Sequence, residues 1–242
     1  MRNRRPTILA AVAIVLAASA TVPAADPAAD EETKASVPAL TAFHDVVFPL
    51  WHDGWQNRDL TLIAEMLPRV KEGVRAVRSA DLPGILRDRR EDWDAGVSAL
   101  AEALAAYEGA VEAREEKGML DAVEALHAGF EKLVRLVRPA MRELDAYHVE
   151  LYAVYHKILP AGETGRLPAA AEAMADRCRA LAAAEVPRRF VAKEAEIRRE
   201  IEALCRDTDA LREAAGGGDA AAVGAAVERV HDRYRKLEAA FR

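Results

Sequence analysis

The chain has 242 residues, a formal net charge of −6 and 5% aromatic residues. The acidic balance excludes nucleic acid as an expected partner, because the phosphate backbone rewards clustered lysine and arginine. It is compatible with cation binding, which charge alone does not establish. The N-terminus fixes an expected compartment: Arg2, Arg4 and Arg5 precede an uninterrupted apolar and small-residue run over 8–20, followed by Val22-Pro23-Ala24, Ala25 and Asp26. That layout is a secretory signal peptide over 1–25, cut after Ala24 or Ala25, with Ala20 as second choice. The run falls short of the ~20 residues that span a bilayer, so the mature chain is expected to be periplasmic or secreted, with no membrane span.

Sliding the chain by 104 residues without gaps lays 41–138 on 145–242 with 18 identities in 98 positions. His44 then meets His148, His52 meets His156, and His127 meets His231; these are all six histidines. Pro83/Pro187, Ala99-Leu100/Ala203-Leu204 and Lys132-Leu133/Lys236-Leu237 support the register independently. A fixed internal period marks a repeat architecture. In the first copy, 3.6-residue periodicity predicts a helix over 36–55, with Ser36 as N-cap and Pro38 in the first turn. A second covers 60–79 with Ile63, Leu67, Val70, Val74 and Val77 on one stripe, Pro68 kinking it or marking its start. A third covers 85–113. Gly118 marks the next turn, and a fourth carries Met119, Val123, Leu126, Phe130, Leu133 and Val137. The second copy repeats the pattern, and Pro139 starts or kinks a helix between the two. The expectation is an all-α protein of two tandem up-down-up-down four-helix bundles, over 36–138 and 139–242.

Cys178 and Cys205 fall on apolar stripes of neighbouring antiparallel helices, well apart along the axis, and are expected to be buried free thiols. The charge-rich runs 87–92 and 112–116 read as solvated helix faces. Trp51, Trp55 and Tyr155 read as core. The histidines are the candidate chemistry. His44 and His52 lie about 80° apart around the first helix and about 12 Å apart along it. In an antiparallel pair of first and last helices, His127 falls level with Val47 or Phe48, between them. Neutral imidazoles converging from two helices suit copper, zinc or nickel, so His44, His52, His127, His148, His156 and His231 are candidate metal ligands. The rise makes a pair such as His44 with His127 easier than all three on one ion. Glu124 and Glu228 give a Glu-x-x-His pattern with His127 and His231, but helices two and three offer no matching inner acids for a di-metal carboxylate centre.

The last helix of each copy resembles that of the cytochrome c-prime and soluble b-type four-helix cytochrome superfamily. The residues concerned are Gly218-Asp219 with Val227-Glu228-Arg229-Val230-His231-Asp232-Arg233-Tyr234-Arg235, and Val123-Glu124-Ala125-Leu126-His127-Ala128-Gly129-Phe130. The family carries Cys-x-x-Cys-His there; both cysteine positions are valine or leucine in this chain, which leaves no covalent haem attachment. The resemblance implies a four-helix bundle per copy and, carried over by residue, His127 and His231 as proximal haem ligands with His44 and His148 opposite them. No serine or cysteine nucleophile with a base, glycine-rich phosphate loop or paired core carboxylate suggests an enzyme. The expected function is non-enzymatic binding of a transition metal through histidines inside each bundle. The alternatives are non-covalent haem b on His44/His127 and His148/His231, or a metal-free helical module that binds a partner.

Overall fold

The computed structural model describes residues 31–241; the leader read into 1–25 lies outside them. Among the described residues the chain is all-α and has no strand. Helix α1 (Pro38–Pro49) runs into a π-helical turn, Leu50–Trp55, and α2 follows (Leu60–Arg78). A 3-10 turn, Gly84–Arg89, feeds α3 (Arg90–Ala113), and α4 spans Glu116–Val137. Then come α5 (Arg142–Ala153) with its own π turn, Val154–Ile158, and α6 (Leu167–Ala183). A 3-10 turn over Thr164–Arg166 precedes α6, another, Arg188–Lys193, leads into α7 (Glu194–Gly217), and α8 covers Ala220–Ala240.

Local chemistry explains the boundaries. The Asp59 carboxylate caps α2 by accepting from the Leu62 backbone N–H at 2.9 Å, one of the four donors a helix start leaves free. Val37, not Ser36, is the N-cap of α1, with Pro38 in the first turn. Helix α2 runs unbroken through Pro68, held by Ile63, Met66, Val70, Val74 and Val77, all buried. Helix α4 starts at Glu116, ahead of Gly118, because the preceding turn is made by Arg114 in the left-handed region (φ 52°). It stops before Pro139: Arg138 is extended (φ −68°, ψ 132°), as the residue before a proline prefers. Proline therefore separates α4 from α5 and does not join them.

The elements recur at the displacement of 104. Arg142–Ala153 repeats Pro38–Pro49, Arg188–Lys193 repeats Gly84–Arg89, and Glu194–Gly217 repeats Arg90–Ala113. Both π turns begin at corresponding residues, Leu50 and Val154. The residues with positive φ among those described are Arg58 and Arg114 in the first half and Gly162 and Gly218 in the second. They too form two corresponding pairs. The left-handed turns belong to the architecture, and the first half accepts them without glycine, at roughly 1 kcal/mol each.

Two apolar clusters result. The first is built around Phe43, Ile63, Val70, Leu100, Tyr107 and Phe130, the second around Tyr147, Met174, Leu204, Val227 and Leu237. Tyr152 of α5 packs into the first cluster although it follows Pro139 in the chain. Gly73 is needed in the first, since a Cβ there would collide with the Phe43 ring. Among the described residues no helix is long and apolar enough to cross a membrane.

The cysteines differ from expectation. Cys178 of α6 and Cys205 of α7 are joined as a disulfide, with Cα atoms 5.5 Å apart. After α6 the chain continues outward through extended Ala184 and Pro187 (ψ 150° and 140°) before the 3-10 turn brings it back. Helix α7 thus begins beyond the end of α6, and Cys205 comes level with Cys178. Counting residues inward from the two helix ends misses that shift.

Candidate functional site

Each histidine, on the opening helices α1 and α5 or on the closing helices α4 and α8, has an aromatic neighbour, and the neighbours correspond between halves. Trp51 stacks on His127 with ring centroids 4.0 Å apart and planes 12° apart; Tyr155 stacks on His231 at 4.1 Å and 15°. Phe48 lies 4.4 Å from His52, and Tyr152 lies 4.8 Å from His156. His44 contacts Phe130 at 6.0 Å, whereas His148 stacks on Tyr234 at 4.3 Å. The aromatic stripe read as core therefore forms the half-buried rim of the cores and carries the imidazoles. Trp51 is itself sandwiched, with Trp55 at 4.2 Å on its other face, and Trp55 Nε1–H donates to the Leu120 carbonyl at 3.0 Å.

The π turns decide which histidines meet. An i→i+5 turn inserts one residue into a helix and rotates everything beyond it. His52 and His156 lie inside those turns, and the structure carries them toward the histidine of the closing helix. The His156 and His231 rings are 6.4 Å apart and edge to face. In the first half, His52 is close enough for its charge to disfavour protonation of His127. His44 and His148 lie about two turns earlier on their helices and contact Phe130 and Tyr234 instead. His44 and His52 are exposed, His127 and His156 half-buried, and His148 and His231 buried. Glu124 is exposed, and Glu228 accepts from the Tyr155 hydroxyl at 3.0 Å.

The second half is capped from the first. Arg87 lies 3.2 Å from His156 Nδ1 and donates to the Tyr152 hydroxyl. Asp88 Oδ2 is 3.0 Å from His231 Nε2. Arg89 donates to the Leu136 carbonyl and pairs with Glu238, which also accepts from the Tyr234 hydroxyl at 3.0 Å. The charge-rich stretch read as a solvated face is thus the contact between halves as far as Arg89, since arginine stems cover apolar surface while the head groups reach across. The 112–116 run is exposed as expected. The residues at 191, 192 and 193 are Val, Ala and Lys, so the cap is not duplicated in sequence. A groove of about 560 Å³ lined in part by Asp88, Asp92, Asp232 and Lys236 opens beside the Asp88–His231 pair.

Burial lowers the pKa of His127 and of His156; the Arg87 guanidinium adds to the effect at His156. Both are therefore neutral near pH 7, and in His156 the Nδ1 lone pair accepts from Arg87. The hydrogen bond with His231 holds the Asp88 carboxyl below its ordinary range. Burial pushes His148 from 6.5 down to about 4. Its surroundings hold both signs: Glu238 and Asp88 favour its charged form, Arg89 and His231 oppose it. An unfolded chain takes up this proton below pH 6.5, while the folded one refuses it until about pH 4. Stability accordingly falls with pH across that window by up to about 3 kcal/mol and then levels off. In urea titrations between pH 7 and pH 4, His148→Gln is expected to remove that component; an unchanged slope in the variant refutes it.

Comparison of the chain with protein-family models, curated proteins and solved structures found no match. Among the described residues no group of three or more His, Cys, Asp or Glu side chains is arranged to hold a metal ion. Asp88 and Arg87 are the site neighbours that sequence reasoning missed. Their signal was the loss of charge at the corresponding positions 191 and 192 of the second half.

Proposed function

We propose that this is an exported, non-enzymatic helical protein that binds a transition-metal ion through paired imidazoles in each half. The first-half pair is His52 with His127, and the second-half pair is His156 with His231, with Asp88 as an adjoining carboxylate. His44 and His148 extend each set along α1 and α5. One observation carries the reading: in both halves a π turn interrupts the opening helix at a histidine, His52 or His156, that interacts electrostatically with the histidine of the closing helix. Such turns cost backbone hydrogen bonding and cluster at functional sites. Neutral imidazole is a good ligand for copper, zinc or nickel, and the lowered pKa values of His127 and His156 favour that form, with an ion displacing Arg87 from His156 Nδ1. With two imidazoles per site, solvent or a rotating carboxylate would complete the coordination.

The test is elemental analysis of untagged protein with copper, zinc and nickel titrations. The expected result is one ion per histidine pair, with His127→Ala removing one and His231→Ala the other. Absence of binding, with His→Ala changes that only lower the melting temperature, would overturn it in favour of a metal-free scaffold. A Soret band on adding hemin, lost in His127→Ala and His231→Ala, would instead support the non-covalent haem reading.

A further inference from the structure

The exposed large hydrophobic side chains among the described residues are Phe48, at 51% and beside His52, and Val191, at 67%. They lie on different faces, one on α1 and the other in the 3-10 turn before α7. The displacement of 104 that relates the halves maps Phe48 onto Tyr152 and Val191 onto Arg87. Tyr152 and Arg87 touch: the guanidinium donates to the phenol and sits 4.9 Å from the ring centroid. The exposed pair is thus the counterpart of a pair in contact between the halves, where exposed Arg87 covers Tyr152, itself only 1% exposed.

We propose that copies of this chain associate head to tail. The Arg188–Lys193 turn of one copy seats on the α1 face of the next, with Val191 against the next copy's Phe48, as Arg87 seats against Tyr152 within one chain. The contact repeats the interface between the halves.

Three observations support the match. The two 3-10 turns have corresponding bounds and sit alike on their own closing helices: Arg89 donates to the Leu136 carbonyl, and Lys193 to the corresponding Ala240 carbonyl at 3.3 Å. The chemistry changes together on both sides, since a guanidinium–phenol contact becomes a valine–phenylalanine contact. The space changes with it. Gly84 has no room for a Cβ beside the Tyr152 hydroxyl; its counterpart is Arg188, and the counterpart of Tyr152 is a phenylalanine with no hydroxyl. On the flanks, exposed Asp45 lies one turn from Phe48 and exposed Arg188 one 3-10 turn from Val191, placing opposite charges across the contact. Such an interface is heterologous, so repetition yields a ring or an open string.

Sedimentation velocity over a concentration series of the mature chain tests this. The wild type is expected to grow with concentration past a dimer. Phe48→Asp and Val191→Asp, both at exposed positions that leave circular dichroism and melting unchanged, are each expected to weaken association at least about tenfold. Their equimolar mixture restores one contact: the Val191→Asp copy offers Phe48 and the Phe48→Asp copy offers Val191. The mixture should form a dimer and nothing larger. A wild type that stays monomeric at every attainable concentration overturns the proposal and leaves these residues free for a foreign protein. It is equally overturned if the wild type assembles but either variant alone still does, or if the mixture stays monomeric.

Discussion

Arg89→Ala is expected to lower the unfolding free energy by about 3–5 kcal/mol, because it removes the cation paired with a carboxylate inside the contact between the halves. The Arg89 and Glu238 side chains are each 12% exposed. Burial disfavours the Glu238 charge, yet the hydrogen bond and positive charge of Arg89 hold its carboxyl below the ordinary range. Removing the guanidinium takes away the hydrogen bond and positive charge that hold that carboxylate ionised, and it also frees the Leu136 carbonyl. The double replacement Arg89→Met with Glu238→Leu is expected to recover most of the loss, since apolar side chains of similar volume often match a buried ion pair. Denaturant titration measures both. A cost below about 1 kcal/mol for Arg89→Ala would show that the pair is screened by solvent and does not fasten the halves.

Replacing both Cys178 and Cys205 by alanine is expected to cost about 3–4 kcal/mol on the loop-entropy account, given a separation of 27 residues. The loss should be confined to the second half. The corresponding residues of the first half are Val74 and Ala101, so the first cluster folds with no crosslink. Thermal melts with and without reductant check this. If reduction leaves the melting temperature unchanged, the packing of α6 on α7 is sufficient without the bridge.

The helices were legible because their stripes are periodic: Ile63, Val70, Val74 and Val77 are spaced for one face and all are buried. The displacement of 104, found in part through the histidines, also describes element bounds, left-handed turns and ring contacts. Other features left no periodic trace. A π turn adds one residue within Leu50–Trp55, too short a stretch to separate from a 3.6 period. It nevertheless holds His52, whose charge acts on His127. The disulfide depended on how far Ala184 and Pro187 carry the chain before it returns, which composition does not encode. Arg87, Asp88 and Arg89 looked solvated because charge was weighed without reach. The same side chains in the structure span to His156, His231 and Glu238.

The Tyr152 ring closes an apolar cluster whose other buried members all lie between Val37 and Val137. Its neighbours there include Gly84, in a 3-10 turn that also buries Ile85 and Leu86. A growing polypeptide that has emerged only as far as Pro139 would therefore expose greasy surface at that turn until α5 arrives to cover it. The earlier-synthesised half would mature late, waiting for the chain behind it, and a fragment cut at the proline would be prone to clumping. The order in which this protein acquires its final shape is consequently written across the junction and not within either half.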